Sequence, residues 1–340
     1  MAQRSGRLTI HDIASLAGVS AGTVSRTMNN LPGVGQATRE RILAIVSDHG
    51  FKADSAARQL STGRTRTIGI VFPLQVSEVV MHPVYPELLG ALGDAAQTAD
   101  YDIMMFTVSS PEQVEHVLDA VDGKRVDGVV LPAAGSRDPL VRRLTEHDVP
   151  TVLIGHRTRD QSLGWVDCTH DEAAAQLTRE MLAHGRRRLV MLNGPAHVSA
   201  CRLRSRGFWS AIEAGDPQTL SPEEIVVEMD AASGRAAALR LLSGKDAPDA
   251  IVCASDAVAS GVLDAARELG VDVPRQLEVS GFDDSSFAIH TTPQLTTVRM
   301  PLLETGAAAM RLLIAMIDGA DTPRHVVLPT TIVRRESTLP

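Results

Sequence analysis

Short apolar runs alternate with amphipathic segments along most of the chain beyond residue 66. Eight runs have the length and continuity of buried parallel strands: 68–72, 103–108, 128–131 and 152–154, then 189–192, 225–227, 251–254 and 279–281. Between the runs, helical periodicity predicts helices such as 86–99, 171–184, 257–269 and 302–317. Repeated strand–helix units favour right-handed crossovers and doubly wound parallel sheets. Two sets of about four units therefore predict an α/β core with two similar lobes.

A different pattern occupies residues 9–49, where three short helices are predicted. Thr9 is a suitable N-cap for the first helix, and Asp12 complements the positive end of its dipole. Gly18 suits a helix C-terminus that needs a positive φ, and Ser20 can then cap the second helix. Two short helices joined by a tight turn predict a helix-turn-helix.

The second of these helices has one apolar and one polar face. Val24 and Met28 are predicted to form its inner stripe. Its outer face is small, polar or cationic, with Ala21, Gly22, Ser25, Arg26 and Asn29. A helix with such a face fits the major groove of DNA, whereas the alternative is a capped hairpin of an ordinary helical domain. We predict a DNA-binding domain over residues 1–50.

Charge is distributed unevenly along the chain. The first 66 residues contain nine Lys/Arg and four Asp/Glu, whereas the remainder contains 24 and 37, and the net charge is −8. A basic N-terminal part suits phosphate contacts, and an acidic body is repelled by DNA. A basic arm can also arise by chance, but together with the helix-turn-helix the asymmetry favours nucleic-acid binding.

The amino-acid composition limits which classes of protein this chain can belong to. Apolar residues make up 44% and charged residues 22% of the 340 residues, which is typical of globular proteins with two or three domains. We expect no membrane span, because no apolar run approaches about 20 residues, and no secretory signal, because the basic N-terminus lacks an apolar region. The cysteines Cys168, Cys201 and Cys253 are widely spaced, so we expect a cytoplasmic protein without disulfides.

The N-terminal motifs resemble those of the lactose/galactose repressor (LacI/GalR) family. The resemblance rests on Asp12-Ile13-Ala14, Ala17-Gly18-Val19-Ser20, Thr23-Val24-Ser25-Arg26 and Asn29, and it continues through Thr38-Arg39-Glu40-Arg41-Ile42. It implies that the helix-turn-helix contacts DNA through Thr9, Ser20, Ala21, Gly22, Thr23, Ser25, Arg26 and Asn29.

The resemblance also implies a hinge over residues 51–66. In this family the linker folds on DNA and inserts a leucine into the minor groove, and Ala57, Arg58 and Leu60 occupy the matching positions. Apolar wedges of this kind unstack and bend DNA. Ala53-Asp54 stands where the family usually has Pro-Asn. The alternative is a solvated linker without DNA contact.

For residues 67–340 the resemblance implies two lobes like those of periplasmic binding proteins, with an effector in the cleft between them. The N-lobe would comprise about 67–168 and 299–329, and the C-lobe about 169–298 and 330–340. Ligands in such sheets bind beyond the carboxyl ends of the strands. Asp283 and Arg204 match the ligand-contacting aspartate and arginine of the family, the alternative being a plain ion pair between lobes.

Four further positions are candidate effector contacts: Tyr85, His156, Met229 and Ser255. For Tyr85 and Met229 the alternative is core packing. Gly155 stands where many relatives have an aspartate, so His156 is expected to supply the missing contact or to leave it unmade. The effector of a well-known relative therefore cannot be assumed.

The sequence motifs give little support for an enzyme. Gly33-Val34-Gly35 lacks the preceding strand and third glycine of a dinucleotide fingerprint, and no Walker loop, H-E-x-x-H or G-x-S-x-G motif occurs. Cys168 and His170 lack further ligands at zinc spacing, so no metal or cofactor is predicted.

The predicted function is a transcriptional regulator, most simply a repressor, that reads a palindromic operator as a homodimer. A small-molecule effector, a sugar or a nucleoside-like compound, would control its affinity for the operator. Two-fold symmetry doubles the contacts that one small DNA-binding domain can make. The alternatives are a solute-binding protein without a DNA role and, third, a sugar-processing enzyme. The sequence leaves dimer and tetramer both open.

Overall fold

The computed structural model describes residues 8–28, 31–51, 63–81, 84–132, 135, 138–215 and 220–340. The chain divides into two compact units, residues 1–65 and residues 66–340. Each unit is described by itself.

Three helices form the N-terminal unit: α1 (Ile10–Ala17), α2 (Ala21–Met28) and α3 (Gln36–Asp48). Thr9 and Asp12 form a capping box at the start of α1, and Gly18 ends that helix with a φ of 63°. The Ser20 hydroxyl accepts a hydrogen bond from Thr23 N at 3.2 Å. The predicted caps of both helices are therefore present.

The three helices enclose a small core made of Ile13, Ala14, Ala17, Val24, Ile42 and Phe51. The predicted inner stripe of α2 is present, since Val24 is buried and Met28 is partly buried against this core, and Thr27 is buried beside them. Thr27 can be buried because its hydroxyl donates to Thr23 O at 3.0 Å, which satisfies its polar group.

The first sheet of the second unit has six strands, all parallel: β1 (Thr67–Phe72), β2 (Asp102–Thr107), β3 (Gly128–Pro132), β4 (Thr151–Ile154), β5 (Gly164–Cys168) and β11 (His325–Leu328). Their order is β11-β5-β4-β3-β1-β2. Helices α4 (Val76–Met81), α5 (Tyr85–Thr98), α6 (Pro111–Asp122), α7 (Pro139–Glu146) and α13 (Leu302–Ile317) belong to this part of the chain.

The sequence predicted only four of these six strands. It missed β5, which is fully buried but contains the charged Asp167, and β11, which lies at the sheet edge and is only partly buried. Neither segment has the continuous apolar run of a central parallel strand.

The second sheet has four parallel strands, β6 (Leu189–Asn193), β7 (Glu223–Val226), β8 (Ala250–Cys253) and β9 (Glu278–Ser280), in the order β7-β6-β8-β9. Its helices are α8 (His170–Ala183), α9 (Ser199–Glu213), α10 (Ala231–Leu242), α11 (Asp256–Glu268) and α12 (Ser286–His290). Helices α8 and α9 pack closely: a Cβ on Gly207 would collide with the carbonyl oxygen of Asp171. This close contact fixes the position of α9 beside the start of α8.

The antiparallel pair β10 (Thr297–Arg299) and β12 (Thr331–Val333) completes the unit. The chain passes between the two sheets three times, after β5, after β10 and after β11. We call residues 66–168 and 300–328 the first half, and residues 169–299 and 329–340 the second half. Among the described residues, no helix is long and apolar enough to cross a membrane.

Candidate functional site

A cavity of about 540 Å³ lies between the two halves of the second unit. Segments that follow the carboxyl ends of β1, β4, β7, β8 and β9 all reach it, which is where open α/β sheets bind ligands. Its volume is in the range of small-molecule sites. The candidate effector residues Tyr85, His156, Arg204, Met229, Ser255 and Asp283 all line this one cavity.

Arg204 is the most strongly held of these residues. It lies in the second turn of α9, whereas the sequence placed it at the helix start, and it is 5% exposed. Its Nη1 donates to the carbonyl oxygen of Ala254, its Nη2 lies 3.7 Å from Asp283 Oδ1, and its guanidinium covers the Phe282 ring at 4.1 Å. Its Nε has no partner among the described residues. The guanidinium is therefore fixed in place at the cavity wall.

Asp283 faces Arg204 from the turn that follows β9. Its backbone has a φ of 113°, a strained conformation for a residue with a side chain. Its N–H donates to Val298 O at 2.9 Å, which fastens the turn to β10. Burial raises the pKa of Asp283, and the Arg204 guanidinium opposes that rise. Strain and an elevated carboxyl pKa together are typical of a functional site.

Arg204 and Asp283 both belong to the second half of the unit. The alternative of a plain ion pair between lobes is therefore wrong, because α9 and the turn after β9 flank the same sheet. The pair lies on one wall of the cavity, facing the other half.

Neighbouring acids hold the Asp283 turn in place. Asp256 accepts hydrogen bonds from Ser285 N at 2.7 Å and Ser285 Oγ at 3.0 Å, and Thr297 Oγ1 donates to its other oxygen. Burial raises the pKa of Asp256. Asp284 binds Arg299 at 2.6 Å and Arg335 at 2.5 Å. The turn is thus tied to β10 and to the C-terminal segment.

Sequence reasoning missed a buried polar chain at the crossing from β5 to α8. Arg157 Nε donates to Asp167 Oδ2 at 2.7 Å, and Asp167 Oδ1 lies 3.3 Å from His170 Nε2. His170 Nδ1 in turn lies 3.4 Å from Arg204 Nη2. This polar chain links the loop that carries Arg157, in the first half, to Arg204 in the second half. Its only sequence signal was a charged residue inside a short apolar stretch, Gly164-Trp165-Val166-Asp167-Cys168.

The protonation states in this chain follow from its surroundings. Burial lowers the pKa of His170, so the imidazole is neutral and one ring nitrogen can accept from Arg204. Burial alone would raise the pKa of Asp167, but its bond to His170 and the Arg157 guanidinium hold that pKa below its usual value. The polar chain therefore contains an ionised carboxylate that is bonded to Arg157 and separated from Arg204 by a neutral imidazole.

The four remaining candidates have different surroundings. Tyr85 packs against Phe72 at a ring distance of 5.2 Å, so it takes part in both core and cavity. Burial raises the pKa of Tyr85 to about 12, with a contribution from Asp283, and the phenol stays protonated. The Ser255 hydroxyl accepts from Val258 N at 3.2 Å as the N-cap of α11.

Met229 and His156 occupy opposite halves. Met229 follows β7 and packs close to Gly194. His156 follows Gly155, which has a φ of 77°. Burial lowers the pKa of His156, and the charge of Arg202 adds to this effect, so the ring faces the cavity uncharged.

The N-terminal unit presents the start of α2 and the turn before it to solvent. Ser20, Gly22 and Arg26 are exposed, and Ala21, Thr23 and Ser25 are partly exposed. Ser20 Oγ lies 2.9 Å from Thr23 Oγ1, and Thr9 is engaged with Asp12 in the capping box. Ser20 and Thr23 therefore contact each other at the solvent-facing start of α2. Asn29, Ala57, Arg58 and Leu60 lie outside the described residues.

Family models match two parts of the chain. Residues 9–54 match "Bacterial regulatory proteins, lacI family", and residues 178–338 match "Periplasmic binding protein-like domain". Among curated relatives, the HTH-type transcriptional regulator CelR of Thermobifida fusca is 32% identical over 342 residues, which covers 98% of this chain and 99% of CelR. Catabolite control protein A of Priestia megaterium is 30% identical over 337 residues, covering 97% and 99%.

The chain belongs to the LacI family of bacterial regulatory proteins. A solved complex of the transcriptional regulator CelR with cellobiose matches with a TM-score of 0.72 and 30% identity, covering 97% of this chain and 100% of that one. The Lac repressor dimer bound to operator and the anti-inducer ONPF matches in fold, with a TM-score of 0.81 and 23% identity over 98% of this chain and 100% of that one. The family and the two-part α/β architecture expected from the sequence are confirmed.

Membership of the LacI family also confirms the predicted class of function, a DNA-binding transcriptional regulator. The matched relatives are transcriptional regulators. The individual residues that contact DNA or an effector remain predictions.

Proposed function

We propose that this LacI-family protein is a repressor whose affinity for a palindromic operator is controlled by a polyhydroxylated small molecule, such as a sugar, bound in the 540 Å³ cavity. The observation that carries the proposal is the buried Arg204–Asp283 pair on one cavity wall. A guanidinium and a carboxylate together offer fixed donors and acceptors to neighbouring hydroxyl groups. The CelR–cellobiose complex supports a carbohydrate, because that relative binds a disaccharide.

We assign residues 1–50 to DNA reading, 51–66 to a hinge and 67–340 to effector binding and dimerisation. The DNA contacts would come from Thr9, Ser20, Ala21, Gly22, Thr23, Ser25, Arg26 and Asn29, with Ala57, Arg58 and Leu60 in the hinge. Effector binding would shift the population between two arrangements of the halves, and so change how two subunits present their DNA-binding units. Such a regulator acts where the bacterial chromosome lies, in the cytoplasm.

The cavity is proposed to bind its ligand without chemistry. Burial raises the pKa of the Cys168 thiol to about 11, so it stays protonated and is a poor nucleophile. Among the described residues, no group of His, Cys, Asp and Glu side chains could hold a metal ion.

The DNA-reading role is tested with Arg26→Ala. Arg26 is exposed on α2, and losing a bidentate base contact costs about 1–3 kcal/mol, so we expect at least about tenfold weaker binding to an operator selected from random DNA. Electrophoretic mobility shifts measure this loss. Arg179→Ala removes an arginine that is likewise exposed, on α8, and should bind the operator like the wild type. Unchanged operator binding by Arg26→Ala would reject the assignment.

The effector role is tested by a thermal-shift screen of mono- and disaccharides, sugar phosphates and nucleosides. We expect at least one carbohydrate to stabilise the protein and to change its operator affinity. Stabilisation only by nucleosides would replace the sugar with a nucleoside effector.

A further inference from the structure

A second, smaller groove adjoins the cavity and has a very different lining. It encloses about 380 Å³, and four arginines reach it: Arg157, Arg159, Arg202 and Arg206. Ser199 lines both the groove and the main cavity. The main cavity offers one guanidinium, whereas the groove offers four.

Both halves of the effector-binding unit contribute these cations. Arg157 and Arg159 follow β4 in the first half, and Arg202 and Arg206 lie on the first two turns of α9 in the second half. Trp165 Nε1 donates to Thr158 O at 3.0 Å, which fixes the loop that carries the first two arginines. An anion in the groove would therefore contact both halves at once.

The groove contains more guanidinium groups than neighbouring carboxylates to neutralise them. Arg157 is paired with Asp167 at 2.7 Å, and Asp171 lies 3.9 Å from both Arg157 and Arg206. Arg202 Nη1 donates to two backbone carbonyls at 3.0 Å, which positions its guanidinium without neutralising it. The Arg159 side chain has no acceptor among the described residues. Two carboxylates thus face four guanidinium groups.

The start of α9 adds to this positive potential. The N-cap position is Val198, which has no side-chain acceptor, so no side chain caps the first backbone N–H groups of this 15-residue helix. The Ser199 hydroxyl at the first helical position makes no hydrogen bond in the part of the chain that the structure describes. Helix N-termini with open donors favour anions. Arg202 and Arg206 project from the same helix end.

Apolar side chains form the floor of the groove. Leu203 is 5% exposed, and Trp165 is 9% exposed with its ring stacked on His325 at 4.8 Å. Above this floor the side chains of Arg159, Arg202 and Arg206 are exposed to solvent, so an anion can reach them. Planar guanidinium forks match the oxygens of a phosphate group.

We propose that this groove binds a phosphate group and that the bound phosphate joins the two halves through Arg157 and Arg159 on one side and Arg202 and Arg206 on the other. The phosphate would be either a substituent of the molecule in the main cavity or a separate phosphorylated metabolite. Either source would favour the arrangement in which the halves are closest, since the arginines come from both. Phosphate binding itself does not depend on the operator function.

Inorganic phosphate is the probe for the test. We compare thermal denaturation and calorimetric titration in phosphate and in chloride at equal ionic strength, for the wild type and for R159Q/R206Q. The matched control R179Q/R240Q removes two exposed arginines from α8 and α10, away from the groove. We expect phosphate to bind the wild type and the control equally, and R159Q/R206Q to bind it at least about tenfold more weakly. Equal binding by R159Q/R206Q, or no stabilisation of the wild type beyond chloride, overturns the proposal.

Two further measurements distinguish the two sources of the phosphate from each other and test whether the groove binds nucleic acid instead. If glucose 6-phosphate competes with phosphate and glucose does not, the groove is supported and the phosphate is assigned to a sugar substituent. If glycerol 3-phosphate and other small phosphate esters compete equally well, the phosphate belongs to a separate metabolite. If R159Q/R206Q weakens binding of random-sequence DNA while phosphate does not bind, the groove is a nucleic-acid surface and the proposal is rejected. A failed operator experiment leaves each of these results interpretable.

Discussion

The two walls of the main cavity differ in chemistry. The first half contributes mostly apolar and aromatic surface, including Pro73, Leu74, Tyr85, Leu88 and Ile154, and its polar side chains, which include Asp138, His156 and Asp167, are fewer. The second half contributes the charged pair Arg204–Asp283 and the hydroxyl of Ser255. One wall can therefore fit the apolar face of a ligand, and the other can direct its hydroxyl groups.

The difference has a physical origin in how each wall is supported. Tyr85 and Leu88 belong to or pack against the core of the first sheet, so their positions are set by close packing. Arg204 is held by the Ala254 carbonyl, the Phe282 ring and the polar chain through His170. A buried charge needs such partners, because an unpaired one would be strongly destabilising. We expect affinity and specificity to depend mainly on the charged wall.

The largest effect is expected from Arg204→Ala. This change removes the donor of the charged wall. Because the guanidinium no longer opposes the effect of burial, the pKa of Asp283 rises further and the wall loses both of its charges. We expect at least about 100-fold weaker binding of the carbohydrate selected in the screen, measured by isothermal titration calorimetry. Arg204→Lys keeps the charge and should recover part of the affinity. If Arg204→Ala retains wild-type affinity in a folded protein, the ligand does not contact this wall.

A medium effect that depends on pH is expected from Asp283→Asn. Burial raises the pKa of Asp283 above its value in the unfolded chain. Below about pH 4 the carboxyl is protonated in both states, and its contribution to the stability of the fold is fully present. As pH rises through the folded pKa, ionisation of the buried carboxyl lowers the free energy of unfolding. Asparagine does not titrate, so the variant should gain stability relative to the wild type between pH 4 and pH 8. We expect a relative increase in Tm of about 2–4 °C across that window.

Differential scanning fluorimetry at several pH values measures this change. Asp246→Asn, an exposed substitution in the loop after α10, serves as the control and should show a smaller pH-dependent difference. A constant difference between Asp283→Asn and the wild type would show that Asp283 titrates in the folded protein as it does in the unfolded chain.

The smallest effect is expected from Tyr85→Phe on the apolar wall. The ring contact with Phe72 is retained and only one neutral hydroxyl is lost, because the phenol is protonated. A neutral hydrogen bond contributes about 0.5–1.5 kcal/mol, so affinity for the same carbohydrate should fall about twofold to tenfold. Titration calorimetry on Tyr85→Phe and Arg204→Ala side by side tests the comparison. A loss as large as that of Arg204→Ala would show that both walls bind through polar contacts.

Local signals in the sequence were sufficient where neighbouring residues determine the structure. The capping box at Thr9, the positive φ at Gly18 and the Ser20 cap involve partners no more than four or five residues away. The central strands β1, β3, β6 and β8 are continuous apolar runs because helices or sheet neighbours cover both faces. The missed strand β5 contains Asp167, whose burial requires Arg157 and His170 from outside the strand.

The sequence by itself determined the class of the protein, its helix-turn-helix and the residues that gather around the cavity. Tertiary structure alone decided that Arg204 and Asp283 share one wall, that His170 connects this wall to the first half, and that four arginines meet in a neighbouring groove. Periodicity and caps are set by interactions along a few residues of chain. The two sites depend on side chains separated by 43 to 79 positions, whose proximity only the packed sheets and helices establish.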